Sequence, residues 1–233
     1  MHTSTYIERR TQLESYFDRT AAEAWSRLTS DAPVSRIRAT VRAGRNRMRD
    51  TLLSWLPQDL RGARLLDAGC GTGALSIEAA KRGATVVAID VAPTLIRLAQ
   101  ERTPADLGSG HIDFRSGDML DPALGDFDFV VAMDSLIHYR ASDCVDALAN
   151  LSTRTAGSIL FTFAPRTPAL AAMHAIGRLF PRRERAPSIQ PVSQDDLLER
   201  LGNDAALNTW SVTRTQRIVN GFYTSQAVEL RRQ

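Results

Sequence analysis

LLDAGCGTGALS, residues 65 to 76, passes from an apolar run into a helix-forming one through glycines at 69, 71 and 73. Glycines in that spacing permit a tight turn and a close approach of the backbone to a ligand. The helix that follows would present free amides to an anionic group. A dinucleotide site calls for G-x-G-x-x-G after the strand. Here the spacing is G-x-G-x-G, and an acid, Asp67, stands two residues before Gly69. A carboxylate in that place repels a pyrophosphate and attracts an ammonium.

Outward from this stretch the chain alternates short apolar segments with helical ones. The strand candidates are ARLLDA, ATVVAID, HIDFRS, FDFVVAM and GSILFTF, with helical patterns over 73–82, 92–103 and 142–153 between them. That alternation predicts an α/β fold built on a Rossmann-like, doubly wound, mostly parallel sheet with right-handed crossovers. Before it, residues 6–28 and a segment from Pro33 read as helices, so residues 1–58 form an N-terminal helical arm and 59–233 the main domain. After Phe163 comes a Pro- and Arg-rich insertion, 164–192, with a helix expected over Pro168–Leu179; it reads as a lid. The tail supplies one more helix and two strands, expected as an antiparallel edge pair.

The composition is that of an ordinary soluble globular protein: 233 residues, 43% hydrophobic and 24% charged. Cys70 and Cys144 show no metal-ligand spacing. No signal peptide and no apolar run of membrane-spanning length is present, so a cytoplasmic protein is expected. The pI is about 9.2, and Lys81 is the sole lysine. Arginines crowd residues 36–49, where a solvated helix face is the simpler reading, and residues 178–185, where contact with an anionic ligand is favoured; either cluster could touch a membrane surface. Neither cluster carries the interleaved aromatics of a nucleic-acid platform, and no Asn/Asp-Pro-Pro-aromatic segment follows the fourth strand, so nucleic acid is not an expected partner.

Two further acids complete a pattern. Asp90 ends the second strand, where a carboxylate can accept hydrogen bonds from both ribose hydroxyls. Asp118 and Met119 follow the third strand, within reach of an adenine amino group and ring face. Ammonium, ribose and adenine without phosphate describe S-adenosylmethionine, held by Asp67, Gly69, Gly71, Gly73, Asp90, Asp118 and Met119.

Residues 63–163 resemble the class I methyltransferases in these motifs taken in order. Over nearly its whole length the chain resembles the magnesium-protoporphyrin IX O-methyltransferases of chlorophyll and bacteriochlorophyll synthesis, through YFDRTAAEAWSRL, LLDAGCGTGALSI, MDSLIHY and GRLFPRRERAPSIQPVS. The resemblance implies methylation of the C13 propionate of magnesium-protoporphyrin IX, with S-adenosylhomocysteine as the other product and magnesium present only within the substrate. It implies Tyr16 and His138 as catalytic residues, Phe17 above the cofactor, and Arg182, Arg183 or Arg185 near the propionates. Tyr139 and Asp134 are weaker candidates for the substrate side, each reading more readily as structural. His174 is an alternative magnesium ligand. Handover from the magnesium chelatase and peripheral contact with the photosynthetic membrane are further implications. The competing readings are methylation of a quinone or phenol, and a non-catalytic S-adenosylmethionine-binding partner in pigment synthesis.

A propionate resembles a glutamate side chain, with a reference pKa of roughly 4.3, so it is ionised near neutrality. His138 is therefore expected to orient a carboxylate with Tyr16 rather than to deprotonate it. A role as general base, or as a ligand to the substrate magnesium, stays open at this stage.

Overall fold

The computed structural model of the chain describes residues 3–19, 22–30, 33–166 and 189–233. Seven strands form one sheet in the order β3-β2-β1-β4-β5-β7-β6. The parallel strands are β1 (Arg64–Ala68), β2 (Thr85–Asp90), β3 (His111–Ser116), β4 (Phe127–Ala132) and β5 (Thr155–Phe163). β6 (Trp210–Asn220) and β7 (Tyr223–Arg232) run antiparallel to one another, and β7 is also antiparallel to β5. This is the doubly wound sheet and terminal antiparallel pair that the sequence predicts.

Strand order reverses between β1 and β4, which places a crevice at their C-terminal ends. Side chains of adjacent strand residues point to opposite faces, and both faces are covered. Leu66, Val130 and Ile159 join one core with α6 (Ala141–Ser152) and α7 (Gln194–Asn203). Leu65, Val131 and Leu160 join the other with α3 (Arg36–Trp55) and α4 (Ala74–Lys81). Burial on both faces explains why the parallel strands read as nearly continuous apolar runs.

The two short helices α1 (Ser4–Arg19) and α2 (Ala22–Leu28) cover the span 6–28 expected as helix, apart from 20–21, which lie outside the described residues. α3 starts at an N-cap, Ser35, whose side chain accepts a hydrogen bond from the Arg38 amide. Its Met48, Leu52 and Leu53 are buried in the sheet's cover. α3 runs from the catalytic edge of the sheet downward. Its Thr40 carbonyl accepts a hydrogen bond from Asn220 at the β6–β7 turn, and its Leu53 carbonyl accepts one from Arg82, beside the start of β2. α5 (Pro93–Arg102) follows β2 and meets both short helices. Ser26 and Thr29 are bonded by Arg102, and Asp18 accepts the Thr94 amide.

Most of the expected lid falls at 167–188, outside the described residues, as do its helix over Pro168–Leu179, Arg182, Arg183, Arg185 and His174. Its flanks are described: Pro165 bridges Val192 in a short parallel pairing.

Candidate active site

The crevice at the β1/β4 switch point is a cleft of about 1150 Å³, part of it open to solvent. The glycine loop, the ends of β2 and β3, the loop after β4, both short helices and α3 all contribute to its lining.

Asp67 lies at the end of β1, 2% exposed, and its Oδ2 accepts a 2.6 Å hydrogen bond from the Ser76 hydroxyl. Burial pushes its carboxyl up to about 7, with the Asp90 charge adding to the rise and the Ser76 hydrogen bond opposing it. Asp90 closes β2 and accepts the Gly71 amide and the Ala92 amide, each at 2.9 Å. Its carboxyl too is raised by burial. Each carboxylate oxygen has a second lone-pair direction left for a ribose hydroxyl.

The glycine amides have protein partners. Gly69 and Cys70 donate to the Ile89 carbonyl, Gly71 to Asp90 and Gly73 to the Cys70 carbonyl. The loop is thereby tied to β2 rather than presenting a bare anion cradle, as suits a ligand without phosphate. Gly69, at φ +86°, lets Ser135 of the β4 loop close in: a Cβ there would stand 2.4 Å from the Ser135 Cβ. Gly73 caps α4 in the left-handed region and packs against Ala99 and Phe114.

Met119 lines the cleft with Gly117. Asp118 is bound by the arm: the Tyr6 hydroxyl donates to its Oδ1 at 2.7 Å, and Arg10 pairs with its Oδ2 at 2.7 Å. Its side chain is outside the cleft lining, which Gly117 and Met119 form at this point. Tyr139 lines the cleft, stacked on Tyr6 at 5.0 Å between ring centroids. Burial raises both hydroxyls above the ordinary tyrosine range.

His138 ends the short 3-10 turn Leu136–His138 after β4, is buried, and lines the cleft. Phe17 meets it edge-on at 5.9 Å and meets Trp25 at 5.5 Å. Tyr16 is half-buried against the Phe17 edge at 5.2 Å and is not in the cleft wall. The arm thus brings Phe17 over His138, with Trp25 packed on Phe17 and its indole edge facing Gly71, and Tyr16 on the other side of Phe17.

α3 is the element that sequence reasoning misplaced. Arg42, Arg45, Asn46 and Arg49 all line the cleft, so this part of the arginine cluster is not simply a solvated face. Their spacing of three and four residues, one side of a helix, was the available signal. Asp134, read as structural, also reaches the cleft wall.

The residues present fit S-adenosylmethionine on an observation independent of the motif. Two buried polar atoms in the cleft-lining residues, Ser135 Oγ and Arg49 Nε, lack a hydrogen-bond partner among the described residues. Buried polar groups are nearly always satisfied. A ligand with its own carboxylate and hydroxyls supplies what they lack.

A family model for the C-terminus of magnesium-protoporphyrin IX methyltransferases matches residues 132–232, and a general methyltransferase-domain model matches 65–156. The magnesium-protoporphyrin O-methyltransferase of Rhodobacter capsulatus is 49% identical over 98% of this chain and 99% of its own. The chloroplastic magnesium protoporphyrin IX methyltransferase of Arabidopsis thaliana is 30% identical over 93% of this chain and 69% of its own. The crystal structure of the Synechocystis magnesium protoporphyrin IX methyltransferase with bound S-adenosylhomocysteine superposes with a TM-score of 0.83 at 29% identity, covering 96% of this chain and all of that one.

Proposed function

The chain belongs to the magnesium-protoporphyrin IX O-methyltransferase family, and from that premise we propose how its residues perform the reaction and which propionate they choose. It is an S-adenosylmethionine-dependent O-methyltransferase acting on magnesium-protoporphyrin IX. The observation that carries the mechanistic reading is the meeting of two surfaces in one cleft. Asp67 and Asp90 lie on its floor, and His138 lies beneath Phe17, which packs on Trp25, on the arm side.

S-adenosylmethionine, when bound, supplies an electrophilic methyl group on a sulfonium. Asp67 attracts its ammonium, Asp90 accepts from its ribose, Met119 borders its adenine, and Arg49 and Ser135 meet its remaining polar groups. Displacement at a methyl carbon gains chiefly from alignment and exclusion of water. Phe17, Trp25 and Leu13 from the short helices are cleft-lining apolar groups suited to both tasks. The acceptor is a C13 propionate, already anionic, so it needs no base. His138 orients that carboxylate by a hydrogen bond, and Tyr16 supports Phe17 from behind. Quinone or phenol methylation would instead require a base, worth about 10²–10⁴-fold.

The test is turnover of magnesium-protoporphyrin IX by wild type and His138→Ala, with the ester located by NMR. A single ester at C13 and a loss of about 10-fold or more in the variant are expected. An ester on the other propionate would refute the position, and undiminished turnover would refute the role of His138.

Direct receipt of this poorly soluble substrate from the magnesium chelatase, at a membrane surface, belongs to the same reading. Exposed Ile37, Val219 and Phe222 with exposed Arg36 and Arg38 support the membrane part. Faster turnover when chelatase or anionic vesicles are added tests it, and indifference to both would count against it. No helix among the described residues is long and apolar enough to cross a membrane.

A further inference from the structure

Asp134 has the one positive φ, 53°, outside glycine among the described residues. Such a backbone is unfavourable for most residues other than glycine, and the surroundings of Asp134 hold it there. Its amide donates to Thr162 Oγ1 at 2.7 Å. Its carboxylate, with a side chain only 2% exposed, accepts from the hydroxyls of Tyr223, Ser225 and Thr162. The last partner is Arg45, whose Nη1 lies 2.6 Å from Asp134 Oδ2.

Arg45 is held on a second side. Its guanidinium lies over the Trp25 ring, 4.5 Å from the centroid, a stacked arrangement that a guanidinium favours. A guanidinium carries five N–H groups. Among the described residues Arg45 spends only Nη1 on a hydrogen bond, so Nε and Nη2 remain, and the residue lines the cleft. Its neighbours on the same helix face are committed elsewhere. Arg42 donates to the Leu28 and Arg27 carbonyls, and the terminal nitrogens of Arg49 reach Asn46 and Asp50.

Position separates Arg45 from Arg49. α3 descends from the catalytic edge, so Arg45, four residues nearer that edge, stands about 6 Å farther out than Arg49. Arg45 is level with Trp25, whose indole edge faces Gly71 and whose ring packs on Phe17, the residue that covers His138. A guanidinium fixed by a buried carboxylate and an indole face, with a free edge for bidentate pairing, is preorganised for a second carboxylate.

We propose that Arg45 binds the acceptor's second propionate, the one that is not esterified, and that Asp134 with Trp25 positions it for that pairing. This rests on the reading of the acceptor as a dicarboxylate tetrapyrrole. The pairing fixes which edge of the macrocycle faces His138, and so makes Arg45 a determinant of which propionate is methylated. A cofactor carboxylate is the other source of the same chemistry, and the experiment separates the two.

Wild type, Arg45→Gln and Arg45→Lys are assayed with magnesium-protoporphyrin IX and with its analogue already methyl-esterified on the non-reacting propionate, while S-adenosylhomocysteine affinity is measured by calorimetry. Wild type is expected to use the diacid at least 10-fold better than the analogue in kcat/KM. Arg45→Gln should use both equally, through a raised KM for the diacid. S-adenosylhomocysteine affinity should change less than 2-fold. Arg45→Lys keeps the charge beside buried Asp134, so it folds even if the glutamine variant does not; it should lose most of the discrimination, because an ammonium cannot make the bidentate pair. Equal use of both acceptors by active wild type would overturn the proposal. So would discrimination retained in the lysine variant, or a tenfold loss of S-adenosylhomocysteine affinity in either variant. Failure of wild type to methylate the diacid would instead sink the reading on which the proposal rests.

Discussion

Burial of Asp67 gives pH an effect of definite sign, which follows from the direction in which its carboxyl is shifted. Its carboxyl is raised from 3.8 to about 7 in the fold. The folded, ligand-free chain therefore holds a proton that the unfolded chain releases, and loses stability as pH climbs through that interval. In the site we propose, the Asp67 carboxylate faces the cofactor's ammonium, so affinity for S-adenosylhomocysteine should rise by up to 10-fold per pH unit toward pH 7. It should decline again above roughly pH 8, where an α-amino group loses its proton. Calorimetry across pH 5.5–9 checks this, and Asp67→Asn should lose the acid limb. An unaltered acid limb in that variant would remove Asp67 from the site. Asp67 and Asp90 were legible in the sequence because each closes a strand next to a turn, where position alone fixes their side of the sheet. Asp134 was not, because its importance lies in partners 28 to 91 residues away, Thr162, Arg45, Tyr223 and Ser225.

The short helix α1 owes its place to a few polar contacts with the sheet's catalytic edge. Tyr6 and Arg10 bind Asp118, and Thr3 and Thr5 bind Asp143. Tyr6 and Leu13 are buried, but little else on this helix is, so its docking is the weakest link in closing the cleft. Tyr6→Phe keeps the ring stacked on Tyr139 and removes one hydrogen bond to a carboxylate, a cost of about 1–2 kcal/mol. Amide exchange in residues 4–19 should accelerate by about 10-fold or more, while that of β1 and β4 stays unchanged. Equal acceleration in the strands would mean that Tyr6 supports the whole fold rather than the arm. The sequence pattern marked this segment as helical and amphipathic, but helical periodicity does not say which strand end a helix will cross. For the same reason the bonds from Tyr6 and Arg10 to Asp118, expected as an adenine contact, were visible only in three dimensions. In α3 the spacing of Arg42, Arg45 and Arg49 already defined one face; what the sequence lacked was the Met48 and Leu52 packing that turns that face to the cleft.

Across the whole molecule, the apolar strands and the glycine turn made the doubly wound sheet readable, since both depend on local patterning. The sheet order then follows from right-handed crossovers, and with it the site at the β1/β4 reversal. The acceptor side that we propose draws on the short helices, α3 and the β4 loop, segments far apart in sequence that meet in the cleft, and so depended on family resemblance rather than on spacing. The most direct measurement for the account as a whole is transfer of a labelled methyl group from S-adenosylmethionine to magnesium-protoporphyrin IX by the purified chain. The account predicts one label per porphyrin, recovered as a monomethyl ester together with S-adenosylhomocysteine. Binding of both ligands without label in the porphyrin would contradict it.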